Sequence, residues 1–234
     1  MTVSEQTLRT KVRRRPKRGA YDRPVIDAIL DEARVCHLGV IDGDYPVVTP
    51  TLHARVGDWL YLHGSAANRT LQAALTGEVC LTATLLDGMV LARAAFHHSV
   101  NYRSVTIFAR PEAVSEPQEK LRALEAFVEK IIPGRWGDAR PPTDNELRAT
   151  TVLRLALTEA SAKIRRGPPV DDAADAHLPV WAGVLPTRTV FCAPQPDPQL
   201  RAGIAVPDYL TALVSDCSPP PSTPEAEEEN DRER

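Results

Sequence analysis

Between Arg34 and Gly64 the chain holds three short alternating runs separated by two tight turns, a pattern few folds accept. "RVCHLGVID" leads through Asp42-Gly43-Asp44 into "PVVTPTLHAR", and Gly57-Asp58 leads into "WLYLHG". Period-two alternation broken by Gly and Asp reads as antiparallel strands joined by hairpins. Turns this short cannot join parallel neighbours, which need a crossover of roughly a dozen residues. A doubly wound nucleotide-binding sheet is therefore excluded. Consistently, no G-x-G-x-x-G follows a strand and no Walker loop occurs.

Four further segments carry strand signals: "EVCLTATLL", "NYRSVTIFARPEAV", "ATTVLRLALT" and "VWAGVLPTRTVF". Helices fall between them. Asp22 reads as the cap of a first helix, with Pro24 in its first turn and Ile26, Ile29, Leu30 and Ala33 on one face. Ser65 reads as the cap of a short helix in "ANRTLQAALTG". Ser115 and Gln118 form a capping-box pattern before a stripe of Leu121, Leu124, Phe127, Val128 and Ile131, which Pro133-Gly134 ends. The expected fold is mainly β, with about six or seven antiparallel strands closed into a small barrel and three or four helices at its periphery.

Residues 1–20 are basic and read as a flexible arm, residues 21–215 as the folded domain, and residues 216–234 as a disordered tail. The tail is Pro-rich and then acidic, too poor in apolar surface to offset the entropy of ordering. The net charge is −3. The arm carries Arg13, Arg14, Arg15, Lys17 and Arg18 but no interleaved aromatics, so nucleic acid is not the expected partner. No apolar stretch approaches a membrane span, and the basic start has no apolar region of a secretory signal behind it. The expected location is the cytoplasm. Four widely separated cysteines with no C-x-x-C predict neither a disulfide framework nor a metal site.

Three stretches carry polar groups in unusual density. In "LYLHGSAANRTL" a strand gives way to a helix, where unpaired N–H groups combine with Ser65, Asn68 and Arg69, a set suited to a phosphate ester. The alternative there is an ordinary helix cap with a surface arginine. In "AFHHSVNYRSVTIFARPEAV" Arg103 shares a face with Val105 and Ile107, so it must meet either an anion or a carboxylate at the barrel rim. Ser104 points the other way. In "VVTPTLHAR" Pro50 belongs at a sheet edge, where backbone groups at Thr49, Thr51 and Leu52 are available to a flat heterocycle.

Taken together, "YLHGSAANRTL", "NYRSVTIFARPEAV" and "EKLRALEAFVEKIIPGRW" resemble the pyridoxamine 5'-phosphate oxidase-like family of flavin-binding split barrels, and within it the nitroimidazole-resistance branch. The resemblance covers roughly residues 20 to 190. It implies a homodimer holding two FMN molecules in clefts between the subunits. It places Val48, Thr49, Pro50, Thr51, Leu52 and His53 along the isoalloxazine. It puts Leu62, His63, Ser65, Asn68 and Arg69 at the ribityl phosphate, with Arg103 and Ser104 as further polar contacts and Trp181 reaching over from the partner subunit. Two departures stand out: Thr70 replaces the usual second basic residue, and "PTRTVFC" stands where true oxidases carry an R-L-H-like triplet. Vitamin B6 oxidation is thereby disfavoured, and the implied activity is flavin-dependent reduction of a small planar substrate. A non-catalytic, redox-sensing flavin protein is the alternative, as is a barrel holding deazaflavin or haem. Of His53, His63 and His97, the evident proton donors, His63 is the candidate for acid–base work.

Overall fold

The computed structural model describes residues 6–215; the expected tail lies outside them. The chain divides into two compact units, Met1–Arg188 and Thr189–Arg234, and the division falls inside the stretch expected as one domain.

In the first unit, β1 (Gly19–Ala20) precedes α1 (Arg23–Glu32), and the predicted meander follows as β2 (Val35–Asp42), β3 (Tyr45–Leu52), β4 (Ala54–Val56) and β5 (Trp59–Ser65). Next come α2 (Arg69–Ala74), β6 (Val79–Leu91), β7 (Ser99–Ala109), β8 (Glu112–Ala113) and α3 (Pro117–Ile131). The unit continues through α4 (Arg135–Asp138), α5 (Asp144–Ala149), β9 (Thr150–Ala156), β10 (Ala160–Arg165) and β11 (Gly183–Pro186). In the second unit, α6 (Asp208–Thr211) lies near a parallel bridge between Phe191 and Val214. Cys36 and Cys80 are free, whereas Cys192 is disulfide-bonded, a bridge the wide cysteine spacing does not predict.

The fold is mainly β and antiparallel, as expected, but split into two sheets. The large sheet runs β1-β10-β7-β6-β2-β3, with β11 also on β6; the small one runs β4-β5-β9-β8. β6 accommodates three partners because it is 13 residues long. β7 pairs along most of it, while β2 takes Cys80–Ala83 and β11 takes Gly88–Leu91. The chain passes between sheets at His53, after β5 through α2, after β7 and after β9. "PVVTPTLHAR" is thus two strands rather than one, broken at His53.

Inward-pointing residues of both sheets close on one core with α1 inserted into it. Ile26, Ile29 and Leu30 from α1 meet Leu38, Leu60, Leu62, Leu81, Ile107 and Leu155, all fully or nearly fully buried. Each such side chain contributes about 1.5–3 kcal/mol relative to exposure. α3 covers the other face of the small sheet, packing Ala123 and Phe127 on Ala54, Tyr61 and Val152. Its cap differs from the predicted Ser115–Gln118 box: the Glu116 carboxylate accepts from the N–H groups of Gln118 and Glu119. α2 likewise starts later than Ser65 suggests, with Asn68 Oδ1 accepting from Leu71 N–H at 3.0 Å.

The described part of the basic arm docks on its own chain. Arg9 bridges Glu78, at 2.5 Å, and Glu159; the Val12 N–H donates to the Tyr21 hydroxyl at 2.9 Å; and Gly19 pairs with Lys163.

Candidate functional site

One face of the large sheet turns away from the core. On β2 the alternation buries Cys36, Leu38 and Val40 and points Val35, His37, Gly39 and Ile41 outward. The register sets Gly39 between Val48 of β3 and Cys80 of β6, and sets Cys80 beside Phe108 of β7. Glycine matters here because the site needs a floor without a side chain. A Cβ at position 39 would meet the Cys80 carbonyl oxygen at 3.2 Å and Val48 Cγ2 at 3.9 Å. The result is an open cleft of about 300 Å³ floored by Gly39, Val48, Cys80 and Phe108.

β3 bounds this face as the terminal strand of the large sheet. Pro46 and Pro50 lie on it, as the sequence argument for an edge requires, since a proline inside a sheet forfeits a ladder hydrogen bond. Val48 is 66% exposed and Pro50 is exposed, whereas Thr49 turns toward α2, with its hydroxyl 3.3 Å from that of Thr70. A flat ring over Val48 and Gly39 thus finds apolar surface beneath it and an unshared strand edge alongside.

Other predicted residues are placed elsewhere. His53 is 1% exposed and sits at the junction of β3 and β4. Lys130 Nζ approaches its Nε2 at 2.8 Å and also donates to the Leu30 carbonyl. Burial, then the Lys130 charge, holds the His53 pKa down to about 4, and burial pushes Lys130 down to about 8. Leu62 belongs to the core. His63 lies under α3, its ring 4.2 Å from that of Phe127, with Nδ1 unpartnered and its pKa lowered by burial.

At the strand-to-helix corner the expected residues contact their own chain, Ser65 and Asn68 as acceptors and Arg69 through a carboxylate. Ser65 Oγ accepts from Ala67 N–H at 3.2 Å, Asn68 caps α2, and Arg69 Nε lies 2.5 Å from Asp42. The Arg69 side chain is nevertheless 73% exposed. Arg103 meets carboxylates: its Nε donates to Asp87 Oδ2 at 3.0 Å and its Nη2 to Glu32 Oε1 at 2.7 Å. Its hydrogen bonds hold Glu32 and Asp87 below the usual carboxylate range. Ser104 Oγ, on the opposite face, donates to the Lys163 carbonyl at 3.3 Å. Trp181 is 67% exposed and lies over Gly183, where a Cβ would come within 2.8 Å of the indole.

At the other end of β6 and β7, Met89, Val100 and Leu185 form an exposed apolar group. Nearby, His98 Nδ1 lies 3.1 Å from the Ala94 carbonyl, so Nδ1 carries the proton and Nε2 keeps its lone pair. His97 Nε2 is 3.4 Å from Asp172. Among the described residues no three His, Cys, Asp or Glu side chains gather as a metal site, and no helix is long and apolar enough to cross a membrane.

Sequence reasoning missed Gly39, Cys80 and Phe108 as a floor. The signal was present, because an isolated glycine inside an alternating strand marks a close approach.

The architecture and this site can be set beside known proteins. No curated protein sequence matches the chain. Among solved structures, the flavocytochrome Anf3 from Azotobacter vinelandii is 40% identical over 88% of this chain and 97% of its own, with a TM-score of 0.84. The FAD and heme binding protein from Mycobacterium smegmatis is 34% identical over 84% of this chain and 97% of its own, with a TM-score of 0.80. A 5-nitroimidazole antibiotic resistance protein from Bacteroides thetaiotaomicron VPI-5482 shares the fold at 22% identity, covering 62% of this chain and 86% of its own, with a TM-score of 0.53. Residues 22–164 match the family described as pyridoxamine 5'-phosphate oxidase, and the chain belongs to that family.

Proposed function

We propose that the protein binds a flavin, FMN or FAD, on the outer face of the large sheet and acts as a flavin-dependent redox protein. The observation that carries this reading is the cleft floored by Gly39, Val48, Cys80 and Phe108 beside the open edge of β3. A planar tricyclic ring fits such a floor, because a side chain at position 39 would occupy it. The bound flavin would supply one- and two-electron transfer. Val48 and Phe108 would position the ring and exclude water from one side of it, and the β3 edge would hydrogen-bond its heteroatoms.

The same face is where we place a second copy of the chain. Val35, Ile41, Val48, Met89 and Leu185 are exposed apolar residues on one sheet, and burying them against a partner would cover the ring. The reaction class is reduction of a small planar acceptor. The likeness to the nitroimidazole resistance structure is one of fold, so a nitroaromatic is one substrate class to assay.

A second reading adds haem to the flavin. It is favoured by the two structures of 34% identity or more, a flavocytochrome and an FAD and heme binding protein. The chain's own geometry fits: His98 keeps Nε2 available, oriented through Nδ1 as metal-binding imidazoles are, beside Met89, Val100 and Leu185.

The test is the visible spectrum of the purified protein, followed by mass analysis of the acid-extracted ligand. Flavin bands support the first reading, and an added Soret band supports the second. A preparation that stays colourless after incubation with FMN and FAD overturns both.

A further inference from the structure

A second cleft lies on the same outer face. It holds about 220 Å³ and is roofed by the N-terminal arm, which contributes Lys11, Arg13 and Arg14. Lys163 of β10 faces them across a floor of hydroxyls from Ser104, Thr106 and Ser161. No carboxylate lines it. The nearby Glu78 and Glu159 are already engaged by Arg9. None of Lys11, Arg13, Arg14 and Lys163 forms an ion pair among the described residues.

The arm is held in place by Arg9, by the Val12 contact to Tyr21 and by β1, so these charges converge by construction. Four like charges around one small volume repel one another, and a multiply charged anion between them removes that cost. The Thr106 and Ser161 hydroxyls on the floor and guanidinium forks above suit the oxygens of phosphate esters, while the Ser104 hydroxyl already donates to the Lys163 carbonyl.

The two clefts are neighbours: Arg9 and Phe108 line both. Straight across the sheet, β3 to β10 is four strand spacings, roughly 19 Å. At the α2 corner, by contrast, the cation there, Arg69, is already paired with Asp42.

We propose that the N-terminal arm and the β7–β10 face form a binding site for the diphosphate of a dinucleotide whose planar end reaches the apolar cleft. The inference rests on the flavin reading. The diphosphate belongs either to FAD itself or to a pyridine dinucleotide that reduces the bound flavin.

The test compares the wild-type protein with the triple variant Lys11→Gln, Arg13→Gln, Arg14→Gln and, separately, with Lys163→Gln. Apoprotein is titrated with FMN and FAD, and flavin-loaded protein with NADPH, at low and high salt. We expect the affinity for one dinucleotide to fall roughly tenfold or more, with a weaker salt dependence. A loss for FAD, shared in part by FMN because its phosphate is one of FAD's two, identifies the flavin's own diphosphate, and a loss confined to NADPH identifies the donor. Wild-type affinity for both dinucleotides in both variants overturns the proposal while leaving the flavin reading intact. Failure of wild-type protein to bind either flavin overturns the reading beneath it.

Discussion

Lys130 Nζ lies 2.8 Å from Nε2 of His53, at the point where the chain leaves the large sheet for the small one. The same Nε2 lies 2.9 Å from the Leu30 carbonyl oxygen, to which Lys130 also donates, while Nδ1 has no partner. Protonating His53 would set two cations side by side in a buried site. The histidine therefore stays neutral to about pH 4, against an ordinary 6.5.

That relationship fixes a sign. The unfolded chain binds the His53 proton more readily, so folding stability is lost as pH falls from 6.5 toward 4, by on the order of 3 kcal/mol from this residue. Lys130, lowered from 10.5 to about 8, adds a second rise in stability with pH across that window. Urea denaturation of wild type and Lys130→Met at pH 4.5 and 7 checks this, and the variant should lose less stability on acidification. Equal losses would show that the two groups do not interact.

Arg103 joins Glu32 of α1 to Asp87 of β6, so its main effect is expected on stability. Arg103→Met should cost about 2 kcal/mol by leaving two part-exposed carboxylates unpaired. Flavin affinity should stay near wild type. Denaturant midpoints read beside flavin titrations decide the matter. Affinity lost at unchanged stability would restore the anion-binding role implied by the family resemblance.

Gly39→Leu should lower flavin affinity by roughly tenfold or more, because the side chain would rise through the floor of the apolar cleft. Fluorescence quenching of added FMN measures it, with far-UV circular dichroism to confirm the fold. Retained affinity would place the ring away from β2.

If haem is bound, His98→Ala should abolish or shift the Soret band while His37→Ala leaves it unchanged. Both imidazoles are exposed, but of the two only His98 has its Nδ1 held by a backbone carbonyl. Absorption spectra of the two variants, reconstituted with haem, distinguish them.

The meander, α1 and α3 were legible in the sequence because each states its period locally. What was hidden depends on distant partners. Asp87-Gly88 looks like a turn, yet β6 runs through it to Leu91 with a register shift between Leu86 and Gly88. Gly88 is needed for close approach, since a Cβ there would lie 3.0 Å from the Leu185 carbonyl oxygen of β11. β10 escaped notice because Leu157-Thr158-Glu159 carries no Gly, Asn or Pro to announce a hairpin. At the candidate site, β3 was recognisable as an edge from its prolines. Sequence could set the alternatives for Arg103 but not choose between them, because Glu32 lies 71 positions away. The arm's docking through Arg9 to Glu159 spans 150 positions and left no local trace.

The most direct measurement is a crystal structure of the protein with the cofactor that copurifies with it. A tricyclic ring seated over Gly39 and Val48, between the β3 edge and Phe108, is the predicted result. A flavin bound elsewhere, with this floor covered by protein side chains or solvent alone, would contradict the account.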